Sequence, residues 1–172
     1  MNVILFGFMG VGKSVVGRMV AERLGMDFTD VDDEVVRMAG KPVSTIFEDD
    51  GEPAFRELES AIVKEASDRD GQVIACGGGA VLRAENLKNL KRNSIMILLT
   101  ADPETILKRV ERDGGSRPLL KTADMLECIE SLLSERCGHY LMAADTMFDT
   151  SGRAPEQVAD DVVRFLKRMK DT

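Results

Sequence analysis

Apolar residues fall along this chain in two alternating rhythms. Short unbroken runs, Val3-Ile4-Leu5-Phe6, Val73-Ile74-Ala75-Cys76 and Ile95-Met96-Ile97-Leu98-Leu99, read as strands covered on both faces. Between them, apolar positions recur three and four apart: Val16, Met19, Val20 and Leu24; then Ala54, Leu58, Ile62 and Ala66; and, behind Pro155, Val158, Val162, Phe165 and Met169. Further helices are predicted at 34–38, stopped by Gly40-Lys41-Pro42, from Ser44, at 84–90, at 103–112 and at about 124–140. The stretches 26–32 and 147–150 complete a set of five strands. Strands and helices alternate throughout. That predicts an α/β fold, a three-layer sandwich with a central parallel sheet of about five strands and right-handed crossovers. With no internal repeat or linker in the 172 residues, one domain, 1–172, is expected.

One junction in this pattern carries chemistry. Gly7-Phe8-Met9-Gly10-Val11-Gly12-Lys13-Ser14 spells G-x-x-x-x-G-K-S between the first strand and the first helix, the context a phosphate-binding loop requires. Glycines let successive backbone N–H groups face phosphate oxygens, and the helix N-terminus adds partial positive charge. Lys13 would reach the β- and γ-phosphates of a nucleotide and Ser14 would bind magnesium. A glycine-rich strand-to-helix turn ending in Lys-Ser is the bland alternative, and the flanking elements argue against it.

Charge sharpens this reading. The net charge of -7 and pI of about 4.9 exclude a dominant basic face for nucleic acid or an anionic membrane, so a bound polyanion must be met by a local group of cations. Arg112 and Arg117 flank the glycine pair 114–115, which suggests a mobile flap laid over phosphates. Arg56 on the 53–66 helix and Arg136 near His139 and Tyr140 are each, taken singly, ordinary surface charges, and His139 is given no role. Asp30 and Asp32 sit at the carboxyl end of the strand expected over 26–32, where alternation would put both on one side. One would serve magnesium and the other a substrate hydroxyl, unless they only cap the next helix. Gly77-Gly78-Gly79 after a buried strand lets a ligand approach the backbone.

The three cysteines, Cys76, Cys128 and Cys137, form no Cys-x-x-Cys pair and have no metal-ligand spacing with His139, which suits a reducing compartment. No basic signal region or membrane-length apolar run occurs, so a cytoplasmic location is expected. No exposed apolar stripe stands out, which favours a monomer.

Together these stretches resemble the shikimate kinases, a family of phosphate-loop small-molecule kinases. The likeness runs through Gly7–Ser14, Phe28-Thr29-Asp30-Val31-Asp32, Ile46-Phe47 with Gly51-Glu52, Phe55-Arg56 and Glu59, Gly77-Gly78-Gly79-Ala80-Val81, Arg117-Pro118-Leu119-Leu120, and Arg136 with Tyr140. The resemblance implies a P-loop NTPase-type fold with a substrate-binding segment at about 32–60 and a short mobile lid at about 112–122. It implies that ATP is held by Gly10, Val11, Gly12, Lys13, Ser14 and Val15, with Arg112, Arg153 and Pro155 around adenine. Shikimate, the implied substrate, would be held by Asp32, Arg56, Gly77, Gly78, Gly79 and Arg136, with the two arginines on its carboxylate. Ser14, and Asp30 through water, would hold Mg2+, while Lys13, Asp32 and Arg117 would carry the chemistry. Val15 stands where the family usually has Thr or Ser, and Val36 where it usually has Glu.

Three rival readings are open on sequence. Another phosphate-loop kinase could act on gluconate or a nucleoside monophosphate. A GTP-dependent switch would use Asp68-Arg69-Asp70-Gly71, yet that D-x-x-G precedes its strand, and no Asn-Lys-x-Asp signature occurs. A non-catalytic relative would have no need of Lys13, Ser14, Asp32 and Arg117 together.

Overall fold

A computed structural model describes residues 1–114 and 124–170. Five strands, β1 (Asn2–Phe6), β2 (Asp27–Asp30), β3 (Gln72–Ala75), β4 (Ser94–Thr100) and β5 (Thr146–Asp149), form one sheet in the order β2-β3-β1-β4-β5, with every pairing parallel. All of β1 and β3 is buried, which is why their sequences run apolar without alternation. The register sets Leu5 beside Ala75 on one side and Ile97 on the other, so the carboxyl ends of β1, β3 and β4 lie level.

The helices are α1 (Lys13–Leu24), α2 (Val31–Ala39), α3 (Val43–Asp49), α4 (Gly51–Ser67), α5 (Ala84–Lys91), α6 (Pro103–Arg112), α7 (Met125–Ala143) and α8 (Pro155–Lys170). From β1 the chain moves outward to edge strand β2, whereas every later crossover runs the opposite way across the sheet. Right-handed connections therefore put α1 on one face and α4, α5 and α7 on the other. α8 returns to pack on α1, completing three layers. Because the crossovers leaving β1 and β3 diverge, the crevice at their carboxyl ends is a topological switch point, the place where open α/β sheets take ligands.

Three local expectations change. The strand expected over 26–32 ends at Asp30, and α2 begins at Val31. Asp30 and Asp32 thus do not alternate along a strand. Asp30 caps α2, with Oδ1 accepting the N–H groups of Asp32 at 3.0 Å and Asp33 at 3.4 Å, while Asp32 lies in the first helical turn. In α4 the buried face is Phe55, Glu59, Ile62, Val63 and Ala66, one residue round from the Ala54–Leu58 line, and Glu59 is turned inward with it. In α8 the core face is Val158, Ala159, Val162, Val163 and Leu166, Phe165 packs edge-on against Phe148, and Met169 in the last turn is exposed. A short 3₁₀ turn, Ala80–Leu82, is an addition that periodicity did not predict.

Candidate active site

A cavity of about 270 Å³ opens at the switch point. Its first wall is the loop between β1 and α1. Gly12, at φ 94°, occupies the left-handed conformation at the start of α1, and the first intrahelical bond runs from Val16 N–H to Gly12 O at 2.9 Å. The N–H groups of Lys13, Ser14 and Val15 lie ahead of that bond and crown the helix end with donors. Lys13 curls back over the loop, its Nζ donating to Phe8 O at 2.8 Å. Gly10, Gly12, Lys13, Ser14 and Val15 all line the cavity.

The opposite wall is acidic and then basic. Asp30 and Asp32 enter from the end of β2 and the start of α2. Although the strand alternation fails, the cap geometry brings both to the same cavity. A Cβ on Gly77 would stand 3.5 Å from Asp32 Oδ1 and 3.4 Å from Glu59 Oε1, so these two carboxylates flank the same glycine. Glu59 is wholly buried, with Oε2 accepting from Arg56 Nη1 at 2.8 Å. Burial raises the Glu59 carboxyl above its ordinary range, the Arg56 charge and hydrogen bond oppose that, and the Asp32 charge adds to it. Burial pulls the Arg56 guanidinium down, but the charge of Glu59 with hydrogen bonds to Glu59 and Glu52 outweighs it, so Arg56 stays a cation.

Arg56 lies flat against the glycine strip. A Cβ on Gly79 would overlap its guanidinium, and one on Gly78 would overlap the Tyr140 hydroxyl and stand 2.9 Å from Gly7 O. The glycines are required here for lack of volume: Ala at either position would occupy space already taken by side chains of the site. From α7, Arg136 is 9% exposed, its guanidinium 5.8 Å from the Phe8 ring centre, and no carboxylate among the described residues pairs with it. A buried cation that no described carboxylate balances is costly by itself and apt for an anionic ligand. Phe47, Phe55 and Val43 supply an apolar side, and Cys76 the floor, its thiol pushed up by burial and so kept unreactive.

The shikimate kinase family model matches residues 9–167, nearly the whole of this fold with its phosphate loop and arginine wall. The chain belongs to the shikimate kinase family. The shikimate kinase of Pelotomaculum thermopropionicum is 43% identical across 96% of this chain and 95% of its own, and that of Desulforudis audaxviator 45% identical across 96% and 86%. The structure of shikimate kinase from Acinetobacter baumannii in complex with shikimate overlays with a TM-score of 0.93 at 36% identity, covering 98% of this chain and 94% of that one.

Within this shikimate kinase-family site, the residues read from sequence divide. Lys13, Ser14, Val15, Asp30, Asp32, Arg56, Gly77, Gly78, Gly79 and Arg136 gather on one cavity with Gly10 and Gly12, while Val11 is buried behind the loop. Arg112 ends α6 with an exposed side chain 3.6 Å from Asp113, Pro155 opens α8, and Arg153 donates to Asp161 at 2.5 Å. None of these three lines the cavity. Arg117 and most of the expected lid lie outside the described residues. Glu59 is the member whose task sequence reasoning missed. Its spacing of three from Arg56 on one helix was the available signal.

Proposed function

We propose that the protein transfers the γ-phosphoryl group of ATP to the 3-hydroxyl of shikimate, giving shikimate 3-phosphate and ADP. What carries this reading is the buried Arg136, which no carboxylate among the described residues balances, set with Arg56 across a cavity from a phosphate loop. Two guanidinium groups suit a carboxylate, and Asp32 suits a hydroxyl that must lose its proton. Shikimate bears both groups.

In the reaction the 3-hydroxyl oxygen attacks the γ-phosphorus in line, the bond from that phosphorus to the β–γ bridging oxygen breaks, and ADP leaves. Asp32 orients the hydroxyl and takes its proton. Lys13 and the donors of the phosphate loop stabilise charge on the phosphate oxygens, with Arg117 proposed to join them from a lid at 112–122. Gly77, Gly78 and Gly79 bring the backbone against the acceptor, while Arg112, Arg153 and Pro155 are proposed to meet adenine.

Magnesium fits the residues present. Ser14 and Asp30 reach the same cavity, a hydroxyl and a carboxylate suited to an ion that shares its shell with water and substrate phosphates. Ser14 would hold it directly and Asp30 through water; when bound it neutralises charge on the phosphates. A monomer is the proposed working unit. The absence of any disulfide among Cys76, Cys128 and Cys137 supports a cytoplasmic setting, and the net charge of -7 supports a small-molecule partner in preference to nucleic acid or membrane. Among the described residues no helix is long and apolar enough to cross a membrane.

The test is ADP release with magnesium and ATP, comparing shikimate with gluconate, nucleoside monophosphates and no acceptor. Shikimate-dependent release that falls at least about a hundredfold in Asp32→Asn with ADP affinity retained, and vanishes in Lys13→Ala, is expected. Turnover on another acceptor alone would overturn the reading of Arg56 and Arg136.

A further inference from the structure

Residues that do not line the cavity make a second set of contacts to the phosphate-loop backbone. Arg109, in the last turns of α6, donates through Nη1 to Gly10 O at 3.1 Å and to Thr150 Oγ1 at 2.9 Å, and through Nη2 to Thr150 O at 2.7 Å. Thr150, 2% exposed and directly after β5, places Oγ1 at 3.0 Å from both Val11 O and Thr100 O. Arg109 fills an acceptor site on that hydroxyl, so its single proton is directed to the two carbonyls.

A trans peptide holds its C=O and N–H in opposite directions in one plane. Fixing Gly10 O therefore fixes the Val11 N–H, and fixing Val11 O fixes the Gly12 N–H. Both point away from the clamp. A cation on the Gly10 carbonyl also polarises that peptide and strengthens its N–H as a donor. Without these anchors the Gly10–Val11 and Val11–Gly12 peptides would lose the hydrogen bonds on their carbonyls, and the flanking glycines, at φ 74° and 94°, add little conformational restraint of their own.

We propose that Arg109 and Thr150 form a clamp that orients the phosphate loop for its nucleotide, making both of them positioning residues for ATP and not for the acceptor. The same clamp ties the loop to the segment between β5 and α8 and to the helix that precedes residues 115–123. It rests on the nucleotide half of the proposed function, so ADP is the probe.

The experiment compares Arg109→Ala, Arg109→Lys, Thr150→Val and Thr150→Ser by calorimetric titration with ADP and magnesium, by KM for ATP and shikimate, and by thermal melting without ligand. Arg109→Ala and Thr150→Val should each weaken ADP about tenfold, which is about 1.4 kcal/mol, and raise the ATP KM alike while the shikimate KM stays within about twofold. Thr150→Ser keeps the hydroxyl and should keep ADP affinity within about threefold; Arg109→Lys, with one donor group in place of a fork, should fall between wild type and Arg109→Ala. Unchanged ADP affinity in both Arg109→Ala and Thr150→Val, or an equal rise in both KM values, would overturn the clamp. If Arg109→Ala does not fold, the Val and Ser variants at position 150 decide it. ADP affinity is read without shikimate, so the clamp stands or falls even where the acceptor assignment fails.

Discussion

Replacing Glu59 by Gln isolates how the acceptor half of the site holds its shape. The substitution keeps the side-chain volume and removes one charge from a wholly buried position 2.8 Å from Arg56 Nη1. The other anion on Arg56 is Glu52, at 3.2 Å and 48% exposed, a surface pair of small worth. Gln can still accept from the Arg56 cation, so what is lost is the charge–charge part of the pair, roughly 1–2 kcal/mol of restraint on Arg56, about the margin by which charge-assisted hydrogen bonds exceed neutral ones. The shikimate KM should then rise about five- to thirtyfold while the ATP KM moves less than about twofold. Steady-state kinetics with each substrate varied in turn reads the split. An unchanged shikimate KM, or a matching rise for ATP, would refute the idea that Glu59 acts through Arg56. Stability carries a second signature. Burial, outweighing Arg56, raises the folded-state carboxyl above its ordinary 4.5. A raised group binds its proton more tightly in the folded state, so its contribution is full below that ordinary value and is lost as pH climbs through the folded one. Wild type should lose melting temperature relative to Glu59→Gln as pH is raised across that window. A difference that grows the other way would show the carboxyl is not raised.

Three further outcomes follow from distances in the fold. Gly79→Ala puts a methyl group onto the Arg56 guanidinium, the far end of a flexible side chain, so the protein should melt within a few degrees of wild type while the shikimate KM rises by about tenfold or more, the loss of one charged hydrogen bond. Arg136→Met removes a buried cation that no described carboxylate balances; the ligand-free protein should melt higher, and the shikimate KM should rise about ten- to a hundredfold, with a lower melting temperature showing that packing over Phe8 outweighs the charge. Gly17→Ala, within α1, would bring a Cβ to 2.7 Å from Phe28 Cε2 and 3.2 Å from Leu5 Cδ1, so overpacking of about 1–3 kcal/mol should exceed the gain in helix propensity of about 1 kcal/mol, and denaturant melts should show a net loss.

The architecture was legible because its strands are buried on both faces and its helices are bounded by punctuating residues. Val3 to Phe6 and Ile95 to Leu99 leave no room for a half-exposed reading, and Pro103, Pro155 and Gly25 mark helix ends that the structure keeps. Where the reading slipped, one local interaction prevailed over pattern. Asp30 both ends β2 and caps α2: its carboxylate takes two N–H groups that α2 would otherwise leave unsatisfied, so the strand stops there and Asp32 enters a helix. The α4 face turned by one residue for a similar reason. An Ala–Leu–Ile–Ala line describes a helix packed by apolar surface alone, whereas α4 also buries a carboxylate, and a carboxylate is buried only where a cation such as Arg56 comes with it.

The same distinction separates the site residues that sequence shows from those it hides. Lys13, Ser14, Asp32 and the glycine strip are the residues proposed to act on ligand directly, and chemistry of that kind demands particular residue types at particular spacings, which leaves a readable mark. Glu59, Arg109 and Thr150 act on other parts of the protein. Their partners are a guanidinium three residues away and the carbonyls of Gly10 and Val11, 99 and 139 positions distant. Every residue has a carbonyl, so nothing in the phosphate loop's own letters calls for Arg109 in particular, and only the fold brings α6 and the end of β5 behind it. On this reading an acidic chain seats a polyanion without a basic surface: a buried carboxylate places Arg56, and backbone N–H groups of the phosphate loop, oriented by Arg109 and Thr150, add donors.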